Sequence, residues 1–191
     1  MNDALEERII GATLRCVGRW GVAKTTLDDI AREAGCARAT IYRVFAGGKQ
    51  AVLAATLQHE LRRAVATIDD AVRDLDSLEE VLVVGTTTAA QLILGHEALA
   101  FLVDHEPIAF DRMGRVFDAA AACAAPHLAR FLSEDDAARA ADWVTRVVLT
   151  YTFNPAPSTD LRDAGDARRL VRTFFLPALT PQTAATSRSK R

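Results

Sequence analysis

Cysteine, aromatic residues and long apolar runs are all scarce in this chain of 191 residues. The three cysteines, Cys16, Cys36 and Cys123, stand far apart with no Cys-x-x-Cys pair, so we expect small buried thiols in a reducing compartment. No apolar run approaches the roughly 18–20 residues that a membrane span needs. The acidic N-terminus lacks the apolar stretch of a signal peptide. We therefore expect a cytoplasmic protein with no membrane partner.

Aromatic residues make up only 6% of the chain, while alanine and leucine are plentiful, which favours helices over strands. The apolar spacing predicts an all-α fold of about nine helices. Eight of them fall at roughly 4–20, 38–45, 49–72, 77–95, 97–104, 108–123, 134–152 and 164–176. The ninth is capped by Thr25 or Thr26 and reaches about Ala34. We expect Gly21, Pro126 and Pro177 to end helices.

Charge is distributed unevenly along the chain. The formal net charge is −2, yet residues 1–50 carry a net charge of +2, residues 51–179 carry −7, and residues 180–191 carry +3. This asymmetry suggests a polyanionic partner at the N-terminal end.

Residues 25–45 have the pattern of two short helices joined by a tight turn. The apolar positions fall on one side of both helices: Leu27, Ile30, Ala31, Ala34, Ile41 and Phe45. Ala31 is small enough for the second helix to cross closely, and Gly35 supplies the backbone freedom that the turn requires. The stretch therefore predicts a helix-turn-helix.

The second helix of this motif exposes side chains that suit DNA. The predicted outward set is Arg38, Ala39, Thr40, Tyr42 and Arg43. Arginine makes bidentate bonds to guanine, threonine contacts a base or a thymine methyl group, and tyrosine and arginine bind phosphate. The short Ala39 side chain lets the helix lie deep in the groove. We expect the motif to bind double-stranded operator DNA.

The same stretch resembles the DNA-binding domain of the TetR family of regulators. The usual order there is Thr-x-x-x-Ile-Ala-x-x-Ala-Gly-Val-Ser, a small residue, Thr, Leu-Tyr, two further residues, Phe and, after a short turn, Lys. This chain matches at Thr26, Ile30, Ala31, Ala34, Gly35, Thr40, Tyr42, Phe45 and Lys49, with Ile41 in place of Leu. The resemblance spans roughly residues 5–55. It implies a regulator whose C-terminal helices serve ligand sensing and dimerisation.

Two positions depart from the family pattern. Ala37 stands where a serine commonly caps the recognition helix, and such a cap contributes typically ~1 kcal/mol. The turn before Lys49 contains Gly47 and Gly48 and is one residue longer than usual. The resemblance implies phosphate contacts from Thr26, Tyr42 and Lys49, weaker candidates in Lys24 and Thr25, and a groove-facing set of Arg38, Ala39, Thr40 and Arg43.

The segment 77–123 offers a place for a small effector. It is rich in apolar residues with a few polar ones among them, which is the composition of a pocket for a lipophilic molecule. The same residues could instead simply fill the core. The candidate ligand contacts are Gln91, His96, Phe101, Phe110, Met113 and Phe117.

Two apolar stripes near the C-terminus are too wide to serve only a small monomer's core. We expect them to pair two copies into a homodimer through Trp143, Val147, Tyr151, Val171, Phe174 and Phe175. The alternative is that they are buried within one chain. Two-fold pairing would present two recognition helices to a near-palindromic operator.

Neither metal binding nor catalysis is indicated. His96 and His105 are nine residues apart and form no His-x-x-x-His pair, and no nucleophile with a base and an orienting group is recognisable. We expect no cofactor, no metal and no enzymatic activity. The predicted organisation is a helix-turn-helix domain (1–50), a helical ligand-binding and dimerisation domain (51–179) and a disordered basic tail (180–191).

Together these features favour a repressor that a small, mostly apolar molecule releases from its operator. One alternative is a regulator whose ligand promotes DNA binding, or which has no ligand. The alternative from another class is an all-helical lipid carrier or enzyme with a coincidental helix-turn-helix. Salt-dependent, sequence-preferring retention of promoter DNA separates the regulators from that last alternative.

Overall fold

The computed structural model describes residues 3–95, 110–154 and 156–179, and every element within these ranges is helical. The all-α prediction is therefore confirmed. The elements are α1 (Asp3–Lys24), α2 (Leu27–Ala34), α3 (Arg38–Val44), α4 (Gly48–Val72), α5 (Leu78–Gly95), α6 (Phe110–Leu128), α7 (Glu134–Phe153), α8 (Ala164–Leu170), a π-helical turn (Val171–Phe175) and α9 (Leu176–Leu179). The predicted helix at 97–104 and the predicted tail at 180–191 lie outside the described residues.

The first helix bends at Gly21, where φ is 78° and ψ is 163°. Glycine is the residue that adopts this backbone conformation without a steric penalty. One further turn follows the bend, and both the amide and the hydroxyl of Thr25 donate to the Gly21 carbonyl, at 3.1 and 2.8 Å. The helix that was predicted to end at Gly21 is therefore broken there and then resumes.

The buried apolar residues form separate clusters at the two ends of α4. One cluster joins α1, α2, α3 and the start of α4 through fully buried side chains such as Ile9, Ile30 and Val52. The larger cluster joins the far end of α4, at Val72, to the C-terminal helices. A helix of 25 residues is about 37 Å long, so α4 spans the distance between the two clusters.

Two prolines lie inside helical segments that they were predicted to end. Pro126 is within α6, which continues to Leu128. A proline has no amide hydrogen, so the last turn of α6 has one backbone hydrogen bond fewer than an uninterrupted helix. Pro177 lies in α9, after a π-helical turn in which the Leu176 amide bonds to the Val171 carbonyl.

The helix α5 is long and apolar enough to cross a membrane by length and composition alone. It begins with Glu79 and Glu80 and packs against α4, α7 and α8. Five of its residues are buried among those neighbours: Val81, Leu82, Val83, Thr86 and Ala90. These contacts make it a core helix of the C-terminal cluster.

Candidate nucleic-acid interface and effector cavity

The second helix starts with a reciprocal cap. The Asp29 amide donates to the Thr26 hydroxyl at 3.2 Å, and the Thr26 amide donates to the Asp29 carboxylate at 3.1 Å. Hydrogen bonds from Thr26 and the nearby Arg32 guanidinium hold the pKa of Asp29 below its usual range. The carboxylate therefore stays charged, and its contribution to stability is lost only as pH falls through that lowered pKa.

The turn between α2 and α3 depends on Gly35, whose φ of 62° is in the left-handed region. The amides of Gly35 and Cys36 bond back to carbonyls of the last turn of α2, which closes the helix. The six positions that were predicted to face inward are all buried: Leu27, Ile30, Ala31, Ala34, Ile41 and Phe45. The geometry is that of the predicted helix-turn-helix.

Polar contacts from α1 hold α2 in place. The Arg8 guanidinium donates to the Ala34 carbonyl at 2.9 Å, at the C-terminal end of α2. Glu33 accepts from Arg15 at 2.6 Å, and Arg19 lies 3.6 Å from the same carboxylate. Sequence reasoning missed these anchors, because residues 14 or more positions apart give no local signal of their pairing.

The exposed face of α3 carries the predicted DNA-reading residues. Arg38, Ala39, Tyr42 and Arg43 are exposed, and Thr40 is half-buried. Arg38 is engaged within the motif, because its guanidinium bonds to Asp28 at 2.9 Å and to the Tyr42 hydroxyl at 3.4 Å. Arg43 forms no ion pair or hydrogen bond with any residue that the structure describes. Arg43 is thus the guanidinium of α3 that is available to a ligand without breaking an internal contact.

Thr25 and Thr26 differ sharply in their surroundings. Thr26 is exposed at the start of α2, where its hydroxyl also donates to Asp29 at 2.6 Å. Thr25 is fully buried, and its hydroxyl is used by the Gly21 carbonyl. The candidate phosphate contact at Thr25 was therefore wrong, since a buried hydroxyl with an internal partner does not reach DNA.

The turn after α3 brings Lys49 back onto α1 instead of leaving it free. Its ammonium group donates to the Val22 carbonyl at 2.7 Å, in the short turn that follows the bend of α1. Gly48 has a φ of 60°, and a Cβ there would lie 3.1 Å from the Tyr42 ring. The glycine thus lets the turn pass close beneath Tyr42.

Replacing Lys49 with methionine tests whether this lysine binds phosphate. We expect weaker operator binding with an unchanged slope of log affinity against log salt, because the ammonium group serves an internal carbonyl. A direct phosphate contact would instead lower the slope by about 0.9. The measurement is fluorescence anisotropy of labelled operator DNA over a range of salt concentrations.

The matched control is Lys24→Met, which removes the same charge from an exposed lysine at the end of α1. Lys24 has no described partner and is a weaker phosphate candidate, so its substitution shows the change in slope that follows the loss of a lysine without an internal contact. A slope reduction of about one unit for Lys49→Met would contradict the internal role of Lys49.

Serine at position 37 is expected to stabilise the protein. Ala37 is the N-cap of α3, with φ −76° and ψ 148°, and supplies no side-chain cap. Ala37→Ser should raise the free energy of unfolding by about 0.5–1 kcal/mol, because its hydroxyl can accept from an amide of the first turn. Urea denaturation measures the change. Ala54→Ser, at an exposed site inside α4, should give no gain; an equal gain there would contradict the capping explanation.

A largely apolar cavity of about 150 Å³ lies between four helices of the C-terminal cluster. Its described lining comes from α4, α5, α6 and α7. The α4 stripe, with Leu61, Val65 and Ile68, has the spacing of an inward helix face. The pocket predicted from the sequence was confined to residues 77–123 and did not include α4, although the apolar spacing of α4 could have indicated this wall of the cavity.

The predicted ligand contacts are placed as follows. Gln91 is exposed and donates to the Arg162 carbonyl at 3.1 Å. Phe117 lies under the Arg146 guanidinium, 5.0 Å from ring centroid to carbon. Neither belongs to the described cavity lining. The other predicted contacts, His96, Phe101 and the side chains of Phe110 and Met113, lie outside the described part of the chain.

The predicted dimer residues divide into exposed and buried ones. Trp143 is 40% exposed and Phe174 is 59% exposed, while Val147 and Tyr151 are half-buried. Val171 and Phe175 have no exposed surface, since they pack in the core of their own chain. Assigning those two to a dimer surface was therefore wrong.

Comparison with known proteins agrees with the geometry of the N-terminal motif. The family model of bacterial regulatory proteins of the tetR family matches residues 9–56, which run from α1 into α4. An uncharacterized HTH-type transcriptional regulator of Mycobacterium tuberculosis is 32% identical over 189 residues, covering 96% of this chain and 90% of that protein. The chain belongs to the TetR family and is a DNA-binding transcriptional regulator.

Solved structures share the whole fold at low sequence identity. The TetR family repressor AlkX from a Dietzia species, implicated in biodegradation of n-alkanes, is 19% identical with a TM-score of 0.69. The alignment covers 91% of this chain and 94% of AlkX. The regulator FadR from Bacillus subtilis, solved with stearoyl-CoA, is 16% identical with a TM-score of 0.64, covering 87% and 97%.

Proposed function

We propose that this regulator is a homodimeric repressor, not an enzyme, which a small apolar molecule releases from its operator. The N-terminal residues 1–50 bind DNA, and residues 51–179 bind the effector and form the dimer. The observation that carries the proposal is the position of α4. Its first turns pack in the helix-turn-helix core through Val52, and its last turns line the cavity through Ile68 and Val72.

This arrangement provides a physical route from ligand to DNA. A molecule that fills the cavity and moves the distal end of α4 also moves the Lys49 contact with α1. The spacing of the two recognition helices in a dimer then changes. The effector acts only through its different affinity for the two arrangements.

Exposed aromatic side chains support pairing of two copies. Trp143 on α7 and Phe174 in the π-helical turn both present large apolar surface. The Trp143 ring packs against Phe175, with centroids 5.2 Å apart, so the core fixes its position. A four-helix contact through these elements would bury both.

The decisive experiment recovers genomic DNA fragments bound by the purified protein and then measures their release. We expect sequence-preferring, salt-dependent binding to a near-palindromic site. Alkanes and acyl-CoA thioesters, with which AlkX and FadR are associated, are compared as effectors with small uncharged apolar molecules of the proposed kind. Binding without sequence preference would contradict the regulator, and tighter DNA binding with effector would contradict release.

A further inference from the structure

Two threonines in the cavity wall differ from the other buried threonines of the described helices. Thr13, Thr56 and Thr152 each donate a hydroxyl hydrogen bond of 2.8 Å to the carbonyl four residues earlier. Thr86 and Thr145 are 3% and 7% exposed, and neither forms a side-chain hydrogen bond within the described part of the chain. Both line the cavity.

Neither of these two hydroxyl oxygens is completely sealed within the protein. Among the described residues, only the Thr87 hydroxyl is both sealed from open space and without a partner. The oxygens of Thr86 and Thr145 thus retain a small accessible surface, and both residues line the cavity. A hydroxyl offers one donor and two acceptor positions, and leaving it unpaired in an apolar site is unfavourable.

The other polar side chains in the described lining each have one internal partner. His127 bonds through Nε2 to the Asp69 carboxylate at 2.8 Å, and the Cys123 thiol is directed at the Val65 carbonyl at 3.8 Å. No lysine or arginine belongs to this lining. A buried carboxylate or phosphate would therefore find no lysine or arginine counter-charge among the described lining residues, which disfavours an anionic ligand.

We propose that the cavity takes a small, uncharged, mostly apolar molecule bearing one hydroxyl or carbonyl oxygen, and that Thr86 and Thr145 bind that oxygen. The inference rests on the proposed effector function and adds the chemical class. Engineered apolar cavities of about 150 Å³ bind benzene, which sets the scale of the apolar body. A simple alcohol, phenol or ketone fits this description, and a plain hydrocarbon leaves both hydroxyls unpaired.

Phenol and toluene test this assignment, since they have nearly the same shape and phenol has a hydroxyl where toluene has a methyl group. The affinity of each is measured by isothermal titration calorimetry for the unaltered chain and for the Thr86→Val, Thr145→Val double variant. Valine keeps the shape of threonine and removes the oxygen. We expect the preference for phenol over toluene to fall by about 5- to 50-fold in the double variant, with toluene affinity kept or improved.

The matched control is Thr152→Val. Thr152 lies on the same helix as Thr145 and is also buried, but its hydroxyl already bonds to the Val148 carbonyl. This variant should leave the ratio of the two affinities unchanged. Should the double variant fail to fold, the ratio of phenol affinity to toluene affinity is measured in each single variant instead. Thr145→Ser, which keeps the hydroxyl, should preserve the ratio of the unaltered chain.

Three outcomes would overturn the assignment. If toluene binds and the phenol-to-toluene affinity ratio of the double variant equals that of the unaltered chain, the two hydroxyls bond to water and not to the ligand oxygen. The cavity then still binds an apolar molecule, and only the proposed chemical class is wrong. If Thr152→Val shifts the ratio equally, the effect is not specific to the cavity wall. If neither probe binds at millimolar concentration, the cavity takes no such molecule. Failure of the repressor proposal is seen separately, in the operator-release assay.

Discussion

Alanine at position 43 is expected to weaken operator binding by about 5- to 150-fold, the range for losing one good bidentate contact to a base. Arg43 is exposed on α3 and has no described partner, so its guanidinium is free to enter the major groove. Arg38, in contrast, must first give up its contacts with Asp28 and Tyr42. The affinity is measured by anisotropy of a labelled operator fragment.

The pattern of the loss separates base reading from phosphate binding. If Arg43 reads a base, Arg43→Ala relaxes sequence preference at one operator position, whereas loss of a phosphate contact weakens all sequences alike. Arg139→Ala is the control, because it removes the same charge from an exposed site on α7, beside Asp136. Unchanged operator affinity for Arg43→Ala would show that α3 does not read DNA through this side chain.

Alanine at position 175 is expected to lower the free energy of unfolding by about 3–5 kcal/mol, as for other fully buried phenylalanines. Phe175 has no exposed surface, and it supports the Trp143 ring from the core side. Removing it leaves a cavity among residues that cannot fully collapse around it. Urea denaturation at a fixed protein concentration measures the loss.

The adjacent Phe174 provides the matched comparison. It is 59% exposed, so Phe174→Ala should change the stability of the single chain by less than about 0.5 kcal/mol. In the proposed dimer, however, it should weaken association, which sedimentation at several concentrations detects. Equal effects of the two substitutions on unfolding would contradict the separation of core from surface. Unchanged association for Phe174→Ala would remove it from the interface.

Residues 25–45 were predictable because the information there is local. Two helices of about two turns each bury one narrow stripe, so the spacing of Leu27, Ile30 and Ile41 fixes which side faces inward. The outward face, with Arg38 and Arg43, then follows from geometry alone. Gly35 marks the turn, because its left-handed backbone suits glycine.

The C-terminal helices were less predictable because both sides of several helices are apolar. Phe174 and Phe175 are adjacent and chemically identical, and only packing in the folded chain decides that one is buried and the other exposed. The same holds for the cavity. Its walls come from four helices, and the distant pairing of α4 with α6 leaves no trace in local spacing.

The sequence by itself thus determined the all-helical fold, the helix-turn-helix and its exposed reading face, since each depends on periodicity within a few turns. The tertiary structure decided which polar groups are free to act. It buried Thr25, directed Lys49 to the Val22 carbonyl and left the hydroxyls of Thr86 and Thr145 without a partner among the described residues. Whether a polar side chain has a partner depends on residues far away in the chain, and only the folded chain brings those residues together.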